Sequence, residues 1–386
     1  MSVTGLDVAR RVRPALVGFE PYDPAFTPSL INLSANENTH ALPEEMASAL
    51  RAAMVSTPLN RYPDPMGNRL RDAIAERHGV ARGLVCVGNG GDELLFNLLF
   101  TFGGPGHALV TCPPDFSEYA NFAKMTETPQ VEVWRDPETF EIDEPGLLAA
   151  AQTASLVILT SPNNPTGNLV DASLVRRLLD ETDALVLVDE AYVEFAGEEA
   201  SLVSWVAENP RLIVLRTLSK AFALAGLRCG YLVADPAVID MLAAIRQIYS
   251  EDVLAQAVAE AAVRNRALME PVVHDIVAER SRLLEGLACI PGVHAWPSAA
   301  NFVLIRVPGA SRVRARLRDE RSILVRDFSY APGLEGCLRI SVGTSEENAA
   351  VLEALAELVA DEPAHEDAPG DPAHGTCEDN QPSKEA

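Results

Sequence analysis

Five short runs, LVCV, HALVTC, LVILT, ALVLVDEAY and LIVLRTLSK, are almost wholly apolar at their centres, and each gives way to a polar or glycine-rich loop. A strand that is apolar on both faces must be covered on both faces, which a parallel sheet flanked by helices provides. Helical patterns such as the one opening at GNGGDELLFNLLF lie between the runs. The middle of the chain is therefore predicted to be an α/β unit. After about residue 250 the texture changes to a long Ala-rich helical stretch, Val253 to Leu287, and then to strand-like NFVLIRV, SILVRDF and CLRISVG. A last helix is expected with Ser345 as its N-cap and Val351, Leu352, Leu355, Leu358 and Val359 on one face. These segments predict a smaller α+β domain, and no internal repeat is present.

At 386 residues the chain can bury a large core and is long enough for two domains. The formal charge of −24, with no basic stripe, speaks against a nucleic-acid partner. No apolar run approaches membrane-spanning length and no signal-peptide pattern opens the chain, which points to the cytoplasm without a membrane partner. The six cysteines are scattered, with no C-x-x-C pair to suggest a metal site. The segment 361–386 is rich in Pro, Gly and acids and is expected to be a disordered acidic tail.

Among 31 basic residues only Lys124, Lys220 and Lys384 are lysines, leaving 28 arginines. A guanidinium stays protonated, whereas a desolvated amine can lose its proton and condense with a carbonyl. Lys220 is either an ordinary surface cation or such an amine, and its surroundings decide. Ligands of open parallel sheets bind at the carboxyl ends of the strands. Here LVILT runs into Asn163, Asn164, Pro165, Thr166 and Gly167, ALVLV ends on Asp189 with Tyr192 shortly after, and LIVLRTLS ends on Lys220.

These groups suit an aldehyde-bearing pyridine phosphate. Lys220 would condense with the aldehyde, and Asp189 would keep the ring nitrogen protonated so that the ring draws electrons. Asn164 and Tyr192 would bond the ring hydroxyl. Gly90, Gly91 and Asp92 open a helix whose first N–H groups could take the phosphate, assisted by Thr217, Ser219 and Arg228. Phe116 could stack on the ring or serve as core filler. Asp189 could instead be a loop or capping carboxylate, and Asn164 and Tyr192 turn or core residues. GNGG hints at a dinucleotide fingerprint, but the third glycine of that motif falls on Glu93.

The ordered set GNGGDE, SPNNPTG, VDEAY and TLSKAFALAGLRCGY resembles the fold type I aminotransferases that use pyridoxal 5'-phosphate. NRYPDP, ANFVLIR, ILVRDF and CLRISVGT make it similar, within that superfamily, to the histidinol-phosphate aminotransferases, over roughly residues 20 to 360. The resemblance implies a large domain with a mostly parallel seven-stranded sheet sandwiched by helices, at 46–255, and a small α+β domain at 256–360. Residues 1–45 would be an N-terminal arm completing the small domain. It implies that Lys220, Asp189 and Tyr192 are catalytic and that Arg339, Arg326, Tyr22 and Asn36 meet the substrate. Arg326 could alternatively be a structural ion pair. Tyr62 would reach the cofactor phosphate of a neighbouring subunit, so a homodimer is implied. The partners would be a small-molecule amino donor and a 2-oxo acid, with L-histidinol phosphate and 2-oxoglutarate first. An aromatic amino-acid aminotransferase, a threonine-phosphate decarboxylase-like lyase and a catalytically silent ligand-binding relative are the alternatives.

Two stretches depart from the family's pattern. Thr39, His40 and Ala41 stand where Pro-Tyr-Gly is usual, and Glu251 and Asp252 follow Tyr249 and Ser250 where small or apolar residues are common. Two carboxylates there would repel an anionic substrate unless they point away or are paired.

Overall fold

The computed structural model describes residues 10–19 and 28–362. Tyr22, Cys377, Lys384 and the tail from 363 onward lie outside the described residues. The strands are β1 (Ile31–Leu33), β2 (Val85–Gly88), β3 (Leu109–Thr111), β4 (Gln130–Glu132), β5 (Leu156–Thr160), β6 (Leu185–Asp189), β7 (Leu212–Thr217), β8 (Gly230–Val233), β9 (His294–Ala295), β10 (Phe302–Arg306), β11 (Ile323–Asp327) and β12 (Cys337–Ser341). The helices are α1 (Glu44–Ser56), α2 (Asn68–His78), α3 (Gly90–Phe102), α4 (Glu118–Met125), α5 (Glu144–Ala151), α6 (Ala172–Glu181), α7 (Pro236–Ile245), α8 (Val253–Arg264), α9 (Glu270–Ala288), α10 (Ala310–Arg321) and α11 (Ser345–Ala360).

Seven strands form one sheet in the order β2-β8-β7-β6-β5-β3-β4, parallel except for β8, which runs antiparallel to both neighbours. Four of the apolar runs read from the sequence are its internal strands β3, β5, β6 and β7, LVCV is the edge strand β2, and β5 and β7 are buried along their whole length. Helices supply the cover. In α6 the residues Leu174, Val175, Leu178 and Leu179 are buried on one face, and each such side chain contributes roughly 1.5–3 kcal/mol of transfer free energy. Asp171 starts that helix by accepting a hydrogen bond from the Ser173 backbone N–H.

A second sheet, β1-β11-β12-β10-β9, joins the early strand β1, parallel to β11, to the late antiparallel strands. Two expectations need correction. The stretch Val253–Leu287 is broken by a short 3-10 turn at Arg266–Met269 into α8 and α9. The N-cap of α11 is Thr344, not Ser345: its side chain accepts from the Glu347 N–H while Glu347 reaches back to the Thr344 N–H. Adjacent hydroxyls offer two registers, and the glutamate three residues after Thr344 selects the capping box. The apolar face of α11 is as expected, with Val351, Leu355, Leu358 and Val359 buried and Leu352 packed against the core. Among the described residues no helix is long and apolar enough to cross a membrane.

Candidate active site

The parallel register brings the ends of β5 and β6 level, Thr160 pairing with Asp189, and sets Asp189 against Leu215 of β7, which runs on two residues to Thr217. Beyond β5 the loop Ser161–Gly167 is buried. Asn163 pins it by donating from Nδ2 to the Pro114 carbonyl (2.9 Å) and to Thr166 Oγ1 (2.7 Å). Gly167, at φ +85°, passes so close to Ser298 that a Cβ would lie 3.0 Å from its Cα. Asn164 is thereby held at the seam between the sheets, where its Oδ1 accepts a hydrogen bond from Arg339 of β12.

Asp189 is only 5% exposed. Its Oδ1 accepts from the Ala191 N–H (3.0 Å) and its Oδ2 from the hydroxyl of Tyr119 (2.7 Å). Burial pushes this carboxyl up to about 6, against the downward pull of those two bonds. Tyr119, fully buried on α4, also meets Thr160 Oγ1 at 2.8 Å. A phenol has one proton to give, so Thr160 donates when Tyr119 is committed to Asp189. Sequence reasoning missed Tyr119, whose place in an amphipathic helix reads as packing.

Lys220 follows β7 and donates from Nζ to the Ala35 carbonyl at 3.1 Å. Burial, and next the guanidinium of Arg339, lower its amine to about 8, so that a sizeable neutral fraction exists near physiological pH. Its ammonium lies 5.8 Å from the ring centroid of Tyr192. The Tyr192 hydroxyl accepts from Asn36 Nδ2 (3.0 Å), and Asn36 is tied to β12 through its N–H to Ser341 Oγ (2.9 Å). Asn36, at φ +55°, therefore couples the second sheet to the tyrosine.

A cluster of N–H groups, hydroxyls and a guanidinium that could hold an anion lies at the start of α3. Helix N-terminal N–H groups carry the positive end of the helix dipole, and α3 begins with Gly90, Gly91 and Asp92. The fork of Arg228 covers Gly90 so closely that a Cβ there would meet Nη2 at 2.6 Å, and it pairs with Asp92 (2.8 Å). Thr217 Oγ1 and Ser219 Oγ lie 2.9 Å apart at the end of β7. Strand β8 closes the back: a Cβ on Gly230 would lie 2.8 Å from backbone atoms of Gly90 and Gly91.

A profile of the family "Aminotransferase class I and II" matches residues 28–355. The chain belongs to this aminotransferase family. It is 36% identical over 349 residues to the histidinol-phosphate aminotransferase of Thermoanaerobacter pseudethanolicus, covering 90% of this chain and 98% of that one. It is 39% identical over 378 residues to that of Roseiflexus castenholzii, covering 92% and 99%. The crystal structure of histidinol-phosphate aminotransferase from Sinorhizobium meliloti in complex with pyridoxal-5'-phosphate matches with a TM-score of 0.81 and 27% identity, over 91% of this chain and 98% of that one.

This aminotransferase thus brings Lys220, Asp189, Tyr192, Asn164, Arg339 and Asn36 together at the seam of its two sheets, with the cradle of Gly90, Gly91, Asp92, Thr217, Ser219 and Arg228 beside them. Phe116 is half-buried and meets Tyr119 edge to face at 5.5 Å. Arg326 pairs with Arg339 across the β11–β12 ladder, and no ion pair holds its side chain among the described residues. Tyr62 is 81% exposed and stacks on Tyr249 (4.6 Å). Of the departing residues, Thr39 bonds Glu347, and Asp252 caps α8 by accepting from the N–H groups of Leu254 and Ala255. Glu251 is buried beside Cys229.

Proposed function

We propose that the chain is a histidinol-phosphate transaminase, exchanging the amino group of L-histidinol phosphate with 2-oxoglutarate in histidine biosynthesis with pyridoxal 5'-phosphate as cofactor. The observation that carries this reading is the convergence, beyond the carboxyl ends of β5, β6 and β7, of a lysine lowered to about 8, a buried carboxylate and a cluster of anion donors, met from the second sheet by Arg339, whose cross-strand partner is Arg326. The donor set fits the cofactor: the Asp189 carboxyl, already bonded on both oxygens, suits a ring N–H cation, and Gly90, Gly91, Thr217, Ser219 and Arg228 suit a phosphate dianion. Asn164 and Tyr192 would flank the ring hydroxyl and Phe116 a ring face.

When bound, the cofactor supplies an aldehyde that condenses with amines and a ring that withdraws electrons from the carbon bearing the amino group. Lys220 acts as the nucleophilic amine and, once released, takes and returns the proton at the substrate's α carbon. Asp189 holds a proton at the ring nitrogen. The phenol of Tyr192 and the amide of Asn164 orient the ring and set the acidity beside it. Arg339 and Arg326 position the substrate's anionic group, and Asn36 holds Tyr192 in place. Exposure of Tyr62 supports a homodimer in which it serves the neighbouring subunit, and Tyr22 would meet the substrate from the N-terminal arm.

A substrate panel on the purified holoenzyme tests the assignment, pairing glutamate with imidazole acetol phosphate or phenylpyruvate and offering threonine phosphate alone. Turnover is expected with imidazole acetol phosphate. Turnover of phenylpyruvate alone would refute the substrate.

A further inference from the structure

Glu251 is a buried acid that the reaction does not use. It is 4% exposed, and its Oε1 has no hydrogen-bond partner. Its neighbour is the thiol of Cys229, itself fully buried and a weak donor. Cys229 directly follows Arg228, and its carbonyl accepts from the Leu218 N–H (3.0 Å) and from Thr217 Oγ1 (3.3 Å). The residue before Glu251 is tied to the same cradle, since the Ser250 carbonyl accepts from Nδ2 of Asn89, the N-cap of α3 (2.8 Å). The carboxyl is thus linked, through Cys229 on one side and through Ser250 and Asn89 on the other, to the segments that would hold a phosphate ester.

The surroundings favour its neutral form. Glu93 on α3 and Asp252 at the head of α8 are like charges, and Cys86 on β2 and Cys229 before β8 carry no charge when protonated. Arg246 after α7 is the cation on this side. Its guanidinium is engaged by the carbonyls of Val87 (3.2 Å) and Pro65. Burial, opposed by Cys229 and Arg246, pushes the Glu251 carboxyl up to about 7. A phosphate dianion in the cradle would raise it further, because like charges disfavour one another's ionisation.

We propose that Glu251 couples cofactor loading to a proton: the apoprotein must carry Glu251 as the neutral acid to bind the phosphate ester of the cofactor tightly, and its ionisation weakens that hold. The inference rests on the cradle taking the cofactor's phosphate. Linkage fixes the sign: if loading raises the affinity of Glu251 for a proton, the proton raises the affinity for the cofactor by the same factor.

The test is binding of pyridoxal 5'-phosphate to apoenzyme between pH 6 and 9, followed by quenching of protein fluorescence and by calorimetry in two buffers of different ionisation enthalpy. Between pH 7 and pH 8 the wild type should lose about fivefold more affinity than Glu251→Gln, and at pH 8 should take up close to one more proton on binding. Ionisation of the phosphate and of Lys220 is common to both proteins and cancels. Pyridoxal, which lacks the phosphate, should show the two proteins with parallel profiles. Glu251→Leu, an apolar filler, gives a second variant expected to match Glu251→Gln should the amide not fold. Parallel pyridoxal-phosphate profiles and equal proton counts overturn the proposal alone, whereas absence of saturable binding by the wild type at any pH overturns the site assignment as well.

Discussion

Arg326 and Arg339 are direct cross-strand partners in the β11–β12 ladder. Opposed residues of an antiparallel pair project to one face, and like charges there are destabilising. Arg339 bonds the Ser34 carbonyl (2.8 Å) and Asn164, and Arg326 has no ion pair among the described residues. Such an arrangement suits a bound anion that neutralises both. Arg339→Ala is expected to lower kcat/KM by about 2–3 kcal/mol, roughly 30- to 150-fold. Arg326→Ala should shrink discrimination between L-histidinol phosphate and unphosphorylated histidinol. Steady-state kinetics with both donors decides, and an unchanged preference would remove Arg326 from the phosphate.

The lowered amine of Lys220 has a measurable effect on the apoprotein. Its ordinary value is 10.5 and its folded value about 8. Between those two the unfolded chain binds more protons, so stability rises with pH across that window, and below pH 8 the folded chain holds the ammonium at a cost. Lys220→Met should therefore raise the Tm of the apoprotein at pH 7, with the gain shrinking as pH climbs towards 10, while abolishing transamination. Scanning calorimetry at pH 7 and pH 9.5 measures both. A Tm at pH 7 equal to or below that of the wild type contradicts the desolvated amine.

Strands β5, β6 and β7 are legible because burial on both faces confines polar residues to the strand ends, apart from Arg216 of β7, which pairs with Glu190 and Glu194, so Asn164, Asp189 and Lys220 stand out at the carboxyl ends. Tyr119 does not stand out, because a buried aromatic on a helix looks the same whether its hydroxyl is idle or bonded to Asp189. The break at Arg266–Met269 is marked in the sequence by Pro271, which sits in the first turn of α9, but the apolar periodicity on either side of it reads as continuous. Glu251 and Asp252 differ as neighbours only through tertiary context: one caps a helix, and the other is turned inward against Cys229.

Burial sets the raised pKa of Asp189, and Tyr119 works against it. Its hydroxyl bond pulls the carboxyl down while burial pushes it up, so Tyr119→Phe should raise the Asp189 value above about 6 in the apoprotein. A buried carboxylate that ionises at a cost destabilises the fold as pH rises through its folded value, so Asp189→Asn should stabilise the apoprotein at pH 8 relative to pH 5. In the loaded enzyme the same change should lower kcat by about 10²–10³-fold, through loss of the charge facing the ring. The pH profile of kcat and denaturant titrations at the two pH values are the measurements. An Asp189→Asn apoprotein less stable than wild type at pH 8 would contradict the raised carboxyl.

Gly230 is where β8 and the cradle touch. A Cβ there would lie 2.8 Å from the Gly90 carbonyl carbon and the Gly91 nitrogen, both main-chain atoms. Neither can rotate away as a side chain would, so the head of α3 must shift, and overpacking of this kind costs about 1–3 kcal/mol. Gly91 N is also one of the helix-start groups proposed to take the phosphate. Gly230→Ala is therefore expected to weaken pyridoxal 5'-phosphate binding about ten- to hundredfold, with a smaller effect on pyridoxal, which makes no demand on the cradle. Equal losses for both compounds would indicate a general loss of folding, and unchanged affinity for the phosphate ester would place the anion elsewhere than the start of α3.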